Sequence, residues 1–576
     1  MRRLAPLFLL GLMLPARATF AQQQTSIVNS PHNLSASGPG SIRASEEQQI
    51  CIFCHTPHNS APITPLWNRN VPMNAYTVYS SNSLQARPGQ PTGSSKLCLS
   101  CHDGTIALGS VLSRSQAIQM VGGMTTLPPG AKSNLGTDLS DDHPVSFRYD
   151  TILAARNTKL RPPTNLPQQV KLDHSGEMQC TSCHDAHNDQ FGKFLVMDNS
   201  RSQLCTSCHN QGQTTVAAHS DCAGCHQQHT APSGPYLLVG QTVTDTCVTC
   251  HGGQTGTQQG PNVAQALNLL SRHDTHSPVN LKEHAPNNVD CGDCHEPHTM
   301  GTATAAAAPA VSPRLGAISG VNAAGANVPR AQFEYEVCFK CHGQTNATPT
   351  QTISRQIAQT NTQLEFAQSA VSFHPVEGPG KNPVVPSLVP GLTTASVIYC
   401  TSCHATDSGA TAGIVNVAGA GGPHGSSIRP LLVAPYQTLD GTTESADAYA
   451  LCYRCHQRSS ILGNNSFPQH SKHIVDQRTP CSVCHDGHGI SSAQGTPTNH
   501  AHLINFDITA VQRDPVTQRL EYQVTGAGSG QCYLSCHGVA HSPKSYTVGV
   551  TTPATMLPAA RPALVPARPP SILRKR

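Results

Sequence analysis

Little in this chain could build an ordinary hydrophobic core. Phe, Trp and Tyr together make 4% of the 576 residues, with a single Trp. Charge is scarce as well, at 12%, which excludes a disordered polyelectrolyte. No dense basic face carries interleaved aromatics, so nucleic acid is not an expected partner. Beyond the N-terminus no apolar run reaches the ~20 residues of a spanning helix, so no transmembrane segment is expected in the mature chain. Gly and Pro, 46 and 45 residues, point to turns and irregular backbone. What the chain has instead is 24 Cys and 31 His. A thin core usually needs disulfides, metals or another filler.

Residues 1–21 read as a signal peptide. Arg2 and Arg3 precede an apolar run from Leu4 to Leu14, and Thr19 and Ala21 offer small residues before a cut. The mature chain is therefore expected in the periplasm, outside the cell or on its surface.

Every cysteine falls into one of twelve pairs. Eleven are C-x-x-C-H: Cys51/Cys54/His55, Cys98/Cys101/His102, Cys180/Cys183/His184, Cys205/Cys208/His209, Cys222/Cys225/His226, Cys247/Cys250/His251, Cys291/Cys294/His295, Cys338/Cys341/His342, Cys400/Cys403/His404, Cys452/Cys455/His456 and Cys481/Cys484/His485. The twelfth, "CYLSCH", has three residues between Cys532 and Cys536, then His537. A disulfide scaffold does not explain a His after every second cysteine. Zinc ribbons use C-x-x-C without an obligatory adjacent His. Covalent haem attachment explains both: two thioethers to the haem and the His on its iron. Each motif is expected on one helical turn, where i and i+3 share a face. For Cys532 and Cys536, i and i+4 on a helix also share a face. Twelve haem c are expected, eleven if the last site fails.

Twelve irons need twelve more axial ligands. Nineteen His remain against 9 Met, so His/His ligation is expected, with a lower potential than His/Met. Five motifs continue as C-x-x-C-H-x-x-H, adding His58, His187, His229, His298 and His488. These cannot easily reach the far face of their own haem, but can reach the next in a close stack. Upstream of the same five motifs lie His32, His174, His219, His284 and His473; His143 and His374 sit in "HPV" phrases, and His424 in "GPHG". These thirteen are the candidate distal ligands. His273, His276, His470, His500, His502 and His541 read as surface residues or substitutes.

The motifs alternate between those with a local His and those after phrases such as "SKLC", "RSQLC", "EYEVC" and "AYALC". Pairing them by first cysteine gives six units: 51/98, 180/205, 222/247, 291/338, 400/452 and 481/532. "ICIFCHTPHN", "PLWNR", "KLCLSCHDGT" and "DHPVSF" together resemble the doubled-CXXCH multihaem cytochromes c, a group that includes secreted cytochromes of metal-reducing bacteria. The resemblance implies haems stacked in pairs, His on both faces, sparse secondary structure and, in some members, conductive filaments. The expected fold is mostly irregular coil with short helices at the motifs: an elongated cytochrome of six haem-pair units with few strands. Its expected parts are a first doubled unit (22–170), a haem-dense centre (171–300), an Ala/Gly/Pro-rich loop or linker (301–330), a C-terminal haem region (331–541) and a flexible basic tail (542–576).

The formal charge of +4 would move to about −20 with twelve pairs of ionised propionates. The expected function is electron conduction, with redox proteins or extracellular acceptors as partners. A reductase with one open iron is the alternative. A filament subunit, in which His32 would serve the next molecule, overlaps the first.

Overall fold

The computed structural model describes residues 26–61, 65–212, 214–253, 262–275, 289–302, 307–344, 353–407 and 421–548. The expected signal peptide, His276, His284 and the tail beyond 548 lie outside the described residues. The chain packs as two units. One comprises 1–260, 274–304 and 313–317 and carries the seven motifs from Cys51 to Cys291. The other comprises 261–273, 305–312 and 318–576 and carries the five from Cys338 to Cys532.

Irregular backbone dominates both units. Some motifs form a single turn, as at Cys51–Phe53, Cys180–Cys183, Cys222–Gly224, Cys291–Cys294, Cys400–Ser402 and Cys481–Cys484. Others end a longer helix: Gly93–His102, Gln203–Cys208, Val243–His251 and Glu334–His342. The length follows from the preceding phrase. "EYEVCF" buries Tyr335 and Phe339, an i, i+4 pair that anchors one face of its helix. Where no such phrase precedes, a cap suffices: the Asp221 side chain accepts from Ala223 N, and Asp290 from Gly292 N. Within 301–330, Gly320–Val321 pairs antiparallel with Asn327–Val328 and packs on Glu334–His342.

No single core forms. Several small apolar clusters gather at attachment cysteines. Ile52, Phe53, Leu108 and Met120 pack against Cys54 and Cys101. Val483, Phe506, Val511 and Leu534 pack against Cys484, Cys532 and Cys536.

The last motif breaks the helical expectation. Cys532 and Cys536 lie on the strand Ser529–Cys536, inside a four-stranded antiparallel sheet with Val511–Gln512, Glu521–Gly526 and Val539–Thr547. The extra residue permits this and the turn after it decides it. Even spacing puts two side chains on one face of a strand, and "HG" closes the hairpin: His537 and Gly538 have φ of 50° and 74° between the paired Cys536 and Val539. Two left-handed residues are what a type I′ turn requires.

Candidate metal centres

Three local devices recur at the motif imidazoles. The helical turn carries the motif His N–H back to the first cysteine carbonyl, at 2.8 Å for His55, 3.0 Å for His184 and 2.9 Å for His485. The backbone then extends at the His and bridges a return loop: His55 to Trp67, His184 to Leu195, His226 to Leu238 and His485 to Ile504. Two residues before each bridge, a carbonyl accepts from the imidazole: Pro65, Lys193 and Tyr236 at 2.8 Å and His502 at 2.9 Å. The residue between is left-handed without being glycine: Leu66, Phe194, Leu237 and Leu503, φ 52° to 62°. Such backbone costs about 1–2 kcal/mol per residue and persists where packing over-determines it. Here it aims a carbonyl. His404 repeats the device with Pro430 O at 3.2 Å and Leu431 at φ 60°.

A carbonyl only accepts, so Nδ1 carries the proton and Nε2 keeps its lone pair, the arrangement of a metal-ligating imidazole. The same bond holds non-motif rings: His32 to Ala186 O, His143 to Pro144 O, His273 to Pro423 O and His374 to Gly487 O. Burial pushes His143, His404, His456 and His485 down to about 4. These rings are therefore neutral near pH 7, the form that ligates.

Non-motif rings face motif rings at one recurrent separation. Ring centroids lie 6.1 Å apart for His32–His102, His55–His187, His219–His251 and His226–His298. They lie 6.2 Å apart for His143–His209, His184–His229 and His273–His342, 6.0 Å for His404–His488 and 6.4 Å for His470–His485. With a metal–imidazole bond of about 2 Å, two rings across one metal sit about 6 Å apart, and two on a tetrahedral ion roughly 5 Å. The spacing fits a metal held between opposed imidazoles. His374 acts electrostatically on His456.

The pairing has a rule. Every x-x-H ring after His58 faces the motif His of the preceding local-His motif, as His187 faces His55 and His229 faces His184. Upstream rings face the other kind: His32 faces His102 of its own chain and His219 faces His251. Among the described residues, His58 and His174 form no ring contact with another histidine. His273, His470 and His541, read from sequence as surface residues or substitutes, instead face His342, His485 and His473. The one available signal was His470-x-x-His473, two rings on one face of a turn. His537, expected beside the last cysteines as a ligand, instead pairs through Nε2 with Asp440 Oδ2, 2.8 Å away.

Four facing rings lie beside carboxylates, His187 the most loosely, 3.5 Å from Asp185. His229 Nδ1 is 2.9 Å from Asp142, His488 3.0 Å from Glu365 and His298 2.7 Å from Glu296. Burial opposes a charge on His229 and His488, yet the carboxylate carries both above the usual range. Asp486 joins Glu365 and His488 in one acidic cluster, where Arg355 approaches it at 3.6 Å. Arg355 also donates to the carbonyls of Ser482 and His485, at 2.5 and 2.9 Å, so it ties down the Cys481 motif.

The thiols alternate. Second cysteines adjoin as 54/101, 183/208, 225/250 and 403/455. First cysteines adjoin as 98/180, 205/222, 247/291, 338/400 and 452/481. Within each unit neighbouring motifs therefore follow sequence order.

Cys250 and Cys341, both expected as attachment residues, depart from the packing of the rest. They are exposed, as is Cys51, whereas the remaining attachment cysteines are partly or fully buried. Both end a helix, as Cys101 does while staying partly buried. Each stands in the last turn, one residue before the motif His and past the last buried side chain, Thr246 in Val243–His251 and Phe339 in Glu334–His342. At these two positions protein packing does not bury the thiol.

The doubled CXXCH motif family matches residues 174–214 and 215–256. Each stretch contains one expected pair, 180/205 and 222/247. Residues 322–500 match the domains II/IV of MtrC/MtrF-like outer membrane cytochromes. The chain is a multihaem c-type cytochrome. No curated protein matches this cytochrome significantly. Its C-x-x-C-H motifs imply covalently bound haem c, which their thiols would hold as thioethers. Haem c supplies one-electron chemistry, and the chain supplies tether, axial imidazoles and surroundings. Electron transfer is the function this cytochrome's motifs serve.

Proposed function

We propose that this cytochrome conducts electrons through twelve haems in six pairs, each iron held between two imidazoles. The observation that carries the reading is the recurrent 6.0–6.4 Å between facing rings. The axial pairs are the nine with this separation that include a motif His, with His374 opposite His456. The thirteen histidines expected as distal ligands are narrowed by the same criterion. His58 and His174 are left outside the facing pairs. His284, expected as a distal ligand, lies outside the described residues. Cys250 and Cys341 keep their attachment role: an exposed thiol is open to a vinyl group, and the haem itself would cover it.

Opposed histidines leave no exchangeable position, which suits outer-sphere transfer. The alternating thiols support a conduit whose order within each unit is the order of the sequence. We place the protein in the periplasm or outside the cell, in line with its signal-like N-terminus and with a family named for outer membrane cytochromes. No helix of the described residues is long and apolar enough to cross a membrane. Redox proteins or extracellular acceptors are its partners, and a filament of copies is the extended form of the same function.

Intact mass and electron paramagnetic resonance of the oxidised holoprotein test this. Twelve haems, all low-spin, is the expected result. A high-spin haem in the wild type would favour the reductase, since an open iron is what substrate chemistry needs. Imaging of the purified protein decides between monomer and filament.

A further inference from the structure

The last site has its cysteines but not its histidine. His537 sits at the tip of a hairpin, at φ 50°. Its Nε2, the nitrogen that the other motif rings leave free, is engaged by Asp440 at 2.8 Å. No other imidazole faces it among the described residues.

A different pair of rings stands where the facing geometry is needed. His473 and His541 lie 6.4 Å apart, centroid to centroid, the same as His470 and His485. Neither belongs to a motif. His473 donates Nδ1–H to Gln469 O at 2.8 Å, so its Nε2 lone pair is free. His541 Nδ1 is buried without a hydrogen-bond partner, as are those of His219 and His470. His541 lies opposite Leu534 in the sheet, between the register positions of Cys536 and Cys532. Leu534 is buried in the cluster against which both cysteines pack.

The turn that brings His473 is held by Phe467. Its ring meets His470 at 5.2 Å, His473 at 5.8 Å and Tyr546 of the strand Val539–Thr547 at 4.7 Å. One turn thus points His470 at His485 and, three residues on, His473 at His541.

We infer that the haem of Cys532 and Cys536 takes His473 and His541 as its axial ligands, and that His537 serves the hairpin and stays off the iron. The site reads C-x-x-x-C-x-x-x-x-H, with the ligand on the neighbouring strand. A zinc ion on the two cysteines and these rings is disfavoured, since tetrahedral coordination would bring the rings to roughly 5 Å. Lys472 and Lys544, which act on His541 electrostatically, suit the propionates of a haem and not a cation.

The inference rests on a haem being attached at this site, and the two fail differently. Intact mass of the wild type comes first: eleven haems would remove the attachment and the inference with it. With twelve haems, His541→Gly should show one new high-spin haem by paramagnetic resonance, and free imidazole should return it to low spin. Twelve haems that all stay low-spin in His541→Gly would overturn the ligand assignment and leave the attachment standing. Should the variant lose the haem, an experimental density map of the wild-type holoprotein decides: His541 on the iron supports the inference, His537 on the iron ends it.

Discussion

Replacing Glu365 by Gln should raise the potential of one haem. Glu365 is 6% exposed, and its carboxylate lies 3.0 Å from His488 Nδ1. On the proposed ligation His488 shares an iron with His404. Bond lengths then put the carboxylate about 7 Å from that iron. At an effective dielectric of about 20, a unit charge there acts with about 2.4 kcal/mol, about 100 mV for one electron. Loss of the charge also weakens electron donation by the imidazole, in the same direction. Spectroelectrochemical titration of the holoprotein reads it: one haem's share of the absorbance moves upward by the order of 100 mV, and the rest stays. Glu296→Gln on His298 is the internal scale. Its carboxylate is 29% exposed against 8% for the Glu365 side chain, so water screens it and the shift should be smaller. Superimposable titrations for Glu365→Gln, a downward shift, or a larger effect from Glu296→Gln would refute the reasoning.

Other outcomes follow from the same contacts. His273→Ala should keep all haems by mass but turn one high-spin, because His273 faces His342; His58→Ala should change neither quantity. Burial pushes Glu377 up to about 7 from an ordinary value of 4.5, so the folded state binds a proton that the unfolded state releases. Stability should fall as pH rises from about 4.5 to about 7 and level above it, and Glu377→Gln should flatten that slope in denaturant titrations. Expression without haem attachment should give an unfolded chain by circular dichroism, since the apolar clusters close only against the haems.

The attachment chemistry was legible because it is local: two thiols and an imidazole one turn apart announce themselves. Exposure was not, since "CVTCH" and "CFKCH" give no sign that Cys250 and Cys341 end up outside the packed side of their helices. That His187, His229, His298 and His488 leave their own motif for another was legible, since three residues cannot cross one haem; that His187, His229 and His298 pass over the adjacent motif to the one beyond was not. Which motif they face was not, because nothing in "CHDAH" says that His187 lies beside His55. His273 was passed over for the same reason: it has no motif around it, and a carbonyl 150 residues away orients it. The return loops run through "PLW", "KFL" and "YLL", and nothing in the sequence marked them, because left-handed Leu and Phe have no sequence signature. At residues 532–536, helix and strand both place the cysteines on one face, and only "HG" favoured the hairpin.

The forward reach of the x-x-H rings gives assembly a direction. On the proposed ligation, the haem at Cys51 is not closed until His187 arrives, nor that at Cys180 until His229 does. A chain emerging from its N-terminus would carry at its growing edge one haem waiting for its second ligand. Each new pair would latch the one before it, so maturation behaves as a zip with a single open tooth. A chain cut after His209 would keep that tooth open at Cys180, permanently marking where synthesis stopped.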